Sequence, residues 1–179
     1  MALAPGGKLC DFLGPIMTEL PWYVAHTRPR CEKKLAEYCG REGVAVTLPL
    51  YRSVKRYRGK KVVFQKPLFP NYVFVRIEPE QTRRIYQSDY VANLLGVPDQ
   101  KQFGDQLADI LLALETELEV FLAPGITAGA RGRSKSGPLR GMEGLVEQRS
   151  GLSLVLLRLD FISQAAAVRI EAEELERLD

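Results

Sequence analysis

The chain has 179 residues, 46% apolar and 26% charged, a balance that fits one ordinary globular domain or two small ones and excludes a disordered chain. No apolar run approaches the ~20 residues a membrane-spanning helix needs, and Met1 to Leu20, with one lysine and a broken apolar pattern, makes a poor secretory signal, so a cytoplasmic location is expected. The formal charge of +3 hides a segregation: between Arg28 and Lys66 twelve basic residues face three acidic ones, a local +9 that leaves −6 elsewhere. A concentration of that kind makes a field able to hold phosphates, although a basic run is also the ordinary state of a solvated face.

In chain order, residues 1–20, with Pro5, Gly6, Gly7, Gly14 and Pro15, read as a loose extension without assigned function, in which Met17 is an alternative start. Trp22 to Thr27 reads as a first strand. Pro29 stands at a helix-start position, and a helix to about Arg41 is expected, with Cys31, Leu35, Tyr38 and Cys39 as its apolar stripe and Arg30, Lys33, Lys34 and Arg41 on the wet side. Gly40 and Gly43 end it, and Val44 to Leu48 reads as a second strand. A basic hairpin from about Tyr51 to Phe64 turns at Arg58-Gly59-Lys60. Pro67 and Pro70 then bracket the entry to an apolar strand, because proline cannot sit in a central ladder.

From Tyr72 that strand alternates, with Tyr72, Phe74 and Arg76 on one face and Val73, Val75 and Ile77 on the other. One face can pack on the protein's own helices. The aromatic face needs a second cover, either more of the same chain or a docked partner. A short helix from about Pro79 to Gln87, a strand near Tyr90 to Leu95, and an amphipathic helix over Gln106 to Leu122 follow. Ala123-Pro124-Gly125 is the expected domain boundary. Beyond it, short strands near Arg131 to Lys135, Gly144 to Arg149, Ser153 to Asp160 and Ala166 to Ile170 have the size and punctuation of a small β-barrel, and one helical turn is expected within Glu171 to Leu178.

Little in the chain argues for catalysis. Cys10, Cys31 and Cys39 lack C-x-x-C spacing and His26 is the only histidine, so no metal site is expected; Cys31 and Cys39 read as buried structural thiols and His26 as a packed strand residue. There is no phosphate-loop signature, no nucleophile elbow and no Ser-His-Asp grouping, and no cofactor is implied.

Three separated segments carry a resemblance: W-Y-V-A-H-T-R-P-R-C-E-K-K at Trp22 to Lys34, P-L-F-P-N-Y-V-F-V at Pro67 to Val75, and S-G-P-L-R-G-M-E-G-L-V at Ser136 to Val146. In this order and spacing they resemble the NusG-type transcription elongation factors, and more closely their specialised paralogues of the RfaH kind. The resemblance implies an α+β chain, an NGN-type antiparallel sheet flanked by helices over residues 21–122, a linker at 123–127, and a small SH3-like β-barrel, the KOW domain, over residues 128–179. It implies a job without chemistry. The NGN domain of such factors docks on the clamp helices of the largest subunit of bacterial RNA polymerase and suppresses pausing, and the KOW domain recruits the termination factor Rho or a small-subunit ribosomal protein.

On that resemblance Trp22, Val24, Phe69, Tyr72 and Phe74 match the polymerase-binding surface, with Tyr72 and Phe74 as its anchors. Arg28, Arg30, Lys33 and Lys34 match the region that contacts the non-template DNA strand, while Arg56, Arg58, Lys60 and Lys61 occupy the hairpin, which is also expected to lie toward DNA. Gly137, Pro138, Gly141 and Gly144 belong to the KOW motif. A monomer is expected, with no membrane partner. Asn71, where the general factor more often has glycine, and the short hairpin point to a specialised paralogue; the alternatives are the general housekeeping factor and a translation-associated KOW protein that binds ribosomal RNA. One departure stands out: Gly132 and Ser134 occupy first-strand positions where valine or isoleucine is usual, which predicts a weakened barrel unless Leu145, Leu154, Leu156, Leu157 and Leu159 compensate. Some specialised paralogues refold this domain as a helical hairpin, and A-A-A-V-R-I-E-A-E-E-L-E-R-L tolerates helix.

Overall fold

The computed structural model describes residues 20–123, 129–149 and 152–178. The elements run β1 (Trp22–Thr27), α1 (Glu32–Arg41), β2 (Ala45–Thr47), β3 (Leu50–Tyr57), β4 (Lys60–Pro67), β5 (Tyr72–Arg76), α2 (Thr82–Tyr86), β6 (Val91–Gly96), α3 (Gln100–Glu115), β7 (Val120–Leu122), β8 (Ala130–Ser134), β9 (Glu143–Arg149), β10 (Leu152–Leu159), β11 (Gln164–Ile170) and β12 (Leu175–Arg177). This is the expected α+β order, with an antiparallel sheet flanked by helices and then a separate sheet. The chain divides into two compact units: the described residues up to Leu48 with Pro70–Pro98, and Pro49–Phe69 with the described residues from Asp99 onward.

In the first unit the sheet order is β2-β5-β1-β6, antiparallel throughout. Central strand β5 is flanked on both edges, and Val73, Phe74 and Val75 are all fully buried, as are Val24 and Ala25 on β1. Each such side chain adds on the order of 1.5–3 kcal/mol of apolar burial for the larger residues. Helix α1 lies on β2 and β5. It begins three residues after Pro29, because Arg30 takes a left-handed φ of 62° and Cys31 becomes the cap position. Leu35, Ala36 and Cys39 form its buried stripe, and the helix closes with Gly43 at φ 69°, the conformation a glycine at that position adopts without steric cost.

The second unit holds the β3–β4 hairpin, α3 and a six-stranded antiparallel sheet ordered β12-β8-β9-β10-β11-β7. Two expectations are corrected here. The long helix starts six residues early, because Asp99 caps it by accepting from the Gln102 amide at 2.9 Å, and it stops at Glu115 instead of running to Leu122. Thr116 turns extended at ψ 167°, its hydroxyl donating to the Ala113 carbonyl, and Val120 to Leu122 then pair as β7 with Val168, Ala167 and Ala166 of β11. Residues 99–122, expected in the first domain, therefore sit among the contacts of the second unit. Helix α3 meets β10, with Phe103 edge-on to Phe161 at 6.1 Å and Gln106 exchanging two hydrogen bonds with Asp160.

The first C-terminal strand follows the compensating alternative, with the apolar burial supplied by other strands. A Cβ at Gly132 would lie 2.4 Å from Val146 Cγ2 and 3.2 Å from the Glu176 carbonyl oxygen, so valine has no room there. Ser134, 2% exposed, donates its hydroxyl to the Ser136 carbonyl at 2.8 Å. Burial comes instead from β10 and β11, where Leu154 to Leu157, Leu159 and Ala165 to Val168 are all inside. The chain after Ile170 makes a single 3-10 turn at Ala172–Glu174 and then a strand, β12, paired with β8. The helix-tolerant tail is thus mostly β-structured.

Candidate functional site

Two surfaces hold the residues singled out in the sequence, one in each unit. In the first unit, the turn into β5 is built from Pro70 and Asn71. Asn71 has φ 67°, a left-handed conformation that asparagine and glycine tolerate better than other residues. Its carbonyl accepts from the Thr27 amide at 2.8 Å, and its own amide donates to Glu32 Oε1 at 2.8 Å. Glu32 is 7% exposed and stands in the first turn of α1, where the helix dipole favours a negative charge. It ties the turn to the basic helix. Sequence reasoning counted Glu32 only as an acid; the signal for its role is its position as the sole carboxylate within R-P-R-C-E-K-K.

Beyond this turn, strand register brings four of the five expected surface residues together. Val24 lies opposite Phe74, Trp22 opposite Arg76 and His26 opposite Tyr72, all on one face, with Leu95 of β6 opposite Val24. The Arg76 guanidinium stacks 4.2 Å over the Trp22 ring, and burial pulls its pKa below the usual arginine range. The rings of His26 and Tyr72 are 5.4 Å apart. This face is not bare, as the docking reading required. Phe74 and Val24 are 0% exposed and Phe69, which falls in the second unit, is 1% exposed. Of the five expected surface residues only Trp22 and Tyr72 are partly open, so one of the two expected anchors, Phe74, is sealed. The reason is topological: β5 is an interior strand with a pairing neighbour on each side, and large apolar groups at such positions find cover inside the chain. His26, by contrast, is exposed rather than packed.

Arg28, Arg30, Lys33 and Lys34 are all solvent-exposed around the start of α1. Of the two described thiols, Cys31 is half-buried and Cys39 buried, and loss of solvent pushes the Cys39 pKa up to about 12. Cys10 lies outside the described residues.

In the second unit, β3 and β4 pair from Leu50↔Pro67 to Tyr57↔Lys60 around the two-residue loop Arg58-Gly59. Both loop residues have positive φ, 47° and 79°, as a type I′ hairpin turn requires. Arg56, Arg58, Lys60 and Lys61 are exposed and cluster at this end. The KOW residues act on the backbone. Gly137 and Gly141 have φ 75° and 87°, and a Cβ at Gly144 would lie 2.6 Å from Val155 Cγ1. Pro138 is exposed between them, ahead of the buried Leu139. Nearby, Arg133 and Arg131 pair with Glu143, holding its carboxyl below the usual glutamate range. Among the described residues no three His, Cys, Asp or Glu side chains gather as a metal site, and no helix is long and apolar enough to cross a membrane.

An antiparallel sheet tied to a basic helix, followed by a separate antiparallel sheet, is an NGN and KOW type of fold. A family model described as transcription termination factor nusG matches residues 20–109, half of the chain, and the chain belongs to the NusG family. The solved structure titled "Domain interaction in Thermotoga maritima NusG" is similar over 89% of this chain and 97% of that one, with 20% identity and a TM-score of 0.53, a likeness of fold. The MjSpt4:Spt5 complex in conformation B aligns over 88% of this chain and 97% of that one, at 15% identity and a TM-score of 0.29.

Proposed function

We propose that this NusG-family protein is an elongation or antitermination factor that binds the clamp helices of the largest subunit of bacterial RNA polymerase through its NGN part. In this reading it contacts non-template DNA with its basic residues, suppresses pausing or termination, and recruits Rho or a small-subunit ribosomal protein through its KOW part. The observation that carries the reading is the Glu32–Asn71 hydrogen bond. It fixes Tyr72 at the end of an apolar strand beside the exposed cations of α1, so one rigid corner offers a ring to protein and charges to phosphate. Trp22 and Tyr72 make the first contact, and Val24 and Phe74 support them from inside the same sheet.

Asn71 does not separate a specialised paralogue from a general factor, since its φ of 67° suits asparagine and glycine alike. The short basic hairpin supports a specialised role on particular operons. A deletion that alters a few long transcripts favours that role, and one that alters transcription globally favours the general factor. Binding is tested by pull-down of purified polymerase. The expected result is retention by the wild-type chain and loss in a Trp22→Ala/Tyr72→Ala variant that stays folded; undiminished retention by that variant overturns the surface, and capture of ribosomes without polymerase favours the RNA-binding KOW protein.

A further inference from the structure

The register of the hairpin sorts its side chains in a way that its total charge conceals. Tyr57 stands opposite Lys60, Lys55 opposite Val62, Ser53 opposite Phe64 and Tyr51 opposite Lys66, so one face carries three rings and three lysines. On the other face Arg56 stands opposite Lys61, Val54 opposite Val63 and Arg52 opposite Gln65, with both strand arginines and no ring. From Leu50 to Pro67 there are seven cations and no carboxylate.

The rings are open to solvent. Tyr57 is 68% exposed and Phe64 45%, and five of the eight large apolar side chains that stand exposed among the described residues belong to this hairpin. Two exposed rings, with the exposed Val62 on the same face, make an apolar patch of the kind that a partner covers. The charge says that the cover is anionic, and the alternation of flat rings with flexible lysines says that it offers flat apolar faces between its charges. Single-stranded nucleic acid has both. A duplex keeps its base faces within its own stack, and an acidic peptide has no flat face at each charge spacing. The Tyr57 and Phe64 rows are four residues apart, about 13 Å along the strand, a span that a flexible single strand bridges.

We propose that the Tyr57/Phe64 face of the hairpin is a sequence-tolerant stacking platform for single-stranded nucleic acid, with bases on the two rings and phosphates on Lys55, Lys60 and Lys66. This rests on the reading of the hairpin as a nucleic-acid contact and adds the form of the ligand and the residues that sense it. DNA and RNA single strands share this chemistry.

The experiment is fluorescence anisotropy of the full chain with labelled oligo(dT), oligo(U) and a mixed-sequence duplex, over a salt series. Single strands are expected to bind more tightly than the duplex. Tyr57→Ala/Phe64→Ala weakens that binding about tenfold or more, and so does Tyr57→Leu/Phe64→Leu. Tyr57→Phe/Phe64→Tyr keeps it, and Val54→Ala/Val63→Ala on the opposite face leaves it unchanged. A ring-dependent loss on either strand supports the platform, and the arm that shows it names the sugar. Wild-type affinity in a folded ringless variant, alongside loss of affinity and salt slope in Arg56→Ala/Arg58→Ala/Lys60→Ala/Lys61→Ala, overturns the platform while leaving the phosphate contact standing. Binding indifferent to both sets overturns the underlying reading as well. Displacement of the oligonucleotide by phosphatidylserine vesicles through the same rings assigns the face to a lipid surface and also overturns the proposal.

Discussion

Glu32 carries the first test of the account at the scale of a residue. Its carboxylate is buried and accepts the Asn71 amide at 2.8 Å, so Glu32→Ala leaves a shielded N–H without that partner. The expected cost is about 1–3 kcal/mol, read from the urea midpoint, with Glu32→Gln losing less. An alanine variant with the wild-type midpoint would show that the turn is held by something else. Cys39 offers a second test. A folded pKa of about 12 against an ordinary 9.0 means that the native state keeps a proton the unfolded chain releases. Its contribution is therefore intact below pH 9 and is lost as pH rises toward 12. At pH 8 Cys39 should resist alkylation until denaturant is added, while half-buried Cys31 reacts; peptide mapping with equal labelling of both thiols in the native chain would contradict this. The buried thiol was legible from helical spacing. Glu32 was not, because a charge tally carries no information about which backbone amide a carboxylate will meet.

Among the elements, strands were read well wherever alternation and turn residues agreed. β1, β5 and the hairpin fall within a few residues of expectation, since Pro67, Pro70 and the Arg58-Gly59 loop leave the chain few alternatives. The third helix was displaced because Leu114, Leu118 and Phe121 continue an apolar period beyond the point where Thr116 breaks the helix, and periodicity alone does not register a competing strand partner. β8 gives the sharpest reversal. Valine at residue 132 looks favourable from sequence, yet the space is filled by Val146. Gly132→Val is expected to destabilise the chain by about 1–3 kcal/mol through overpacking, as a lower thermal midpoint; a raised midpoint would restore the view that this strand lacks apolar mass.

For the whole molecule, the two-part α+β organisation and the family were legible in three short motifs, but the burial of the aromatic face was not. Alternation assigns a side chain to a face and does not say whether that face is covered. The consequence is a division of labour between two neighbouring rings. Phe74→Ala, at 0% exposure, is expected to cost about 3–5 kcal/mol, whereas Tyr72→Ala, half-buried at the strand end, should leave a folded chain. Equal destabilisation by the two, measured by denaturant titration, would mean that Tyr72 is core as well and has no part in docking.

The most direct test of the central claim is the lifetime of a defined pause in single-round transcription by purified bacterial RNA polymerase, measured with increasing amounts of the full chain. The account predicts that the wild-type chain shortens the pause and that a folded Trp22→Ala/Tyr72→Ala variant does not. A pause unchanged by saturating wild-type protein, or shortened equally by the variant, would contradict it.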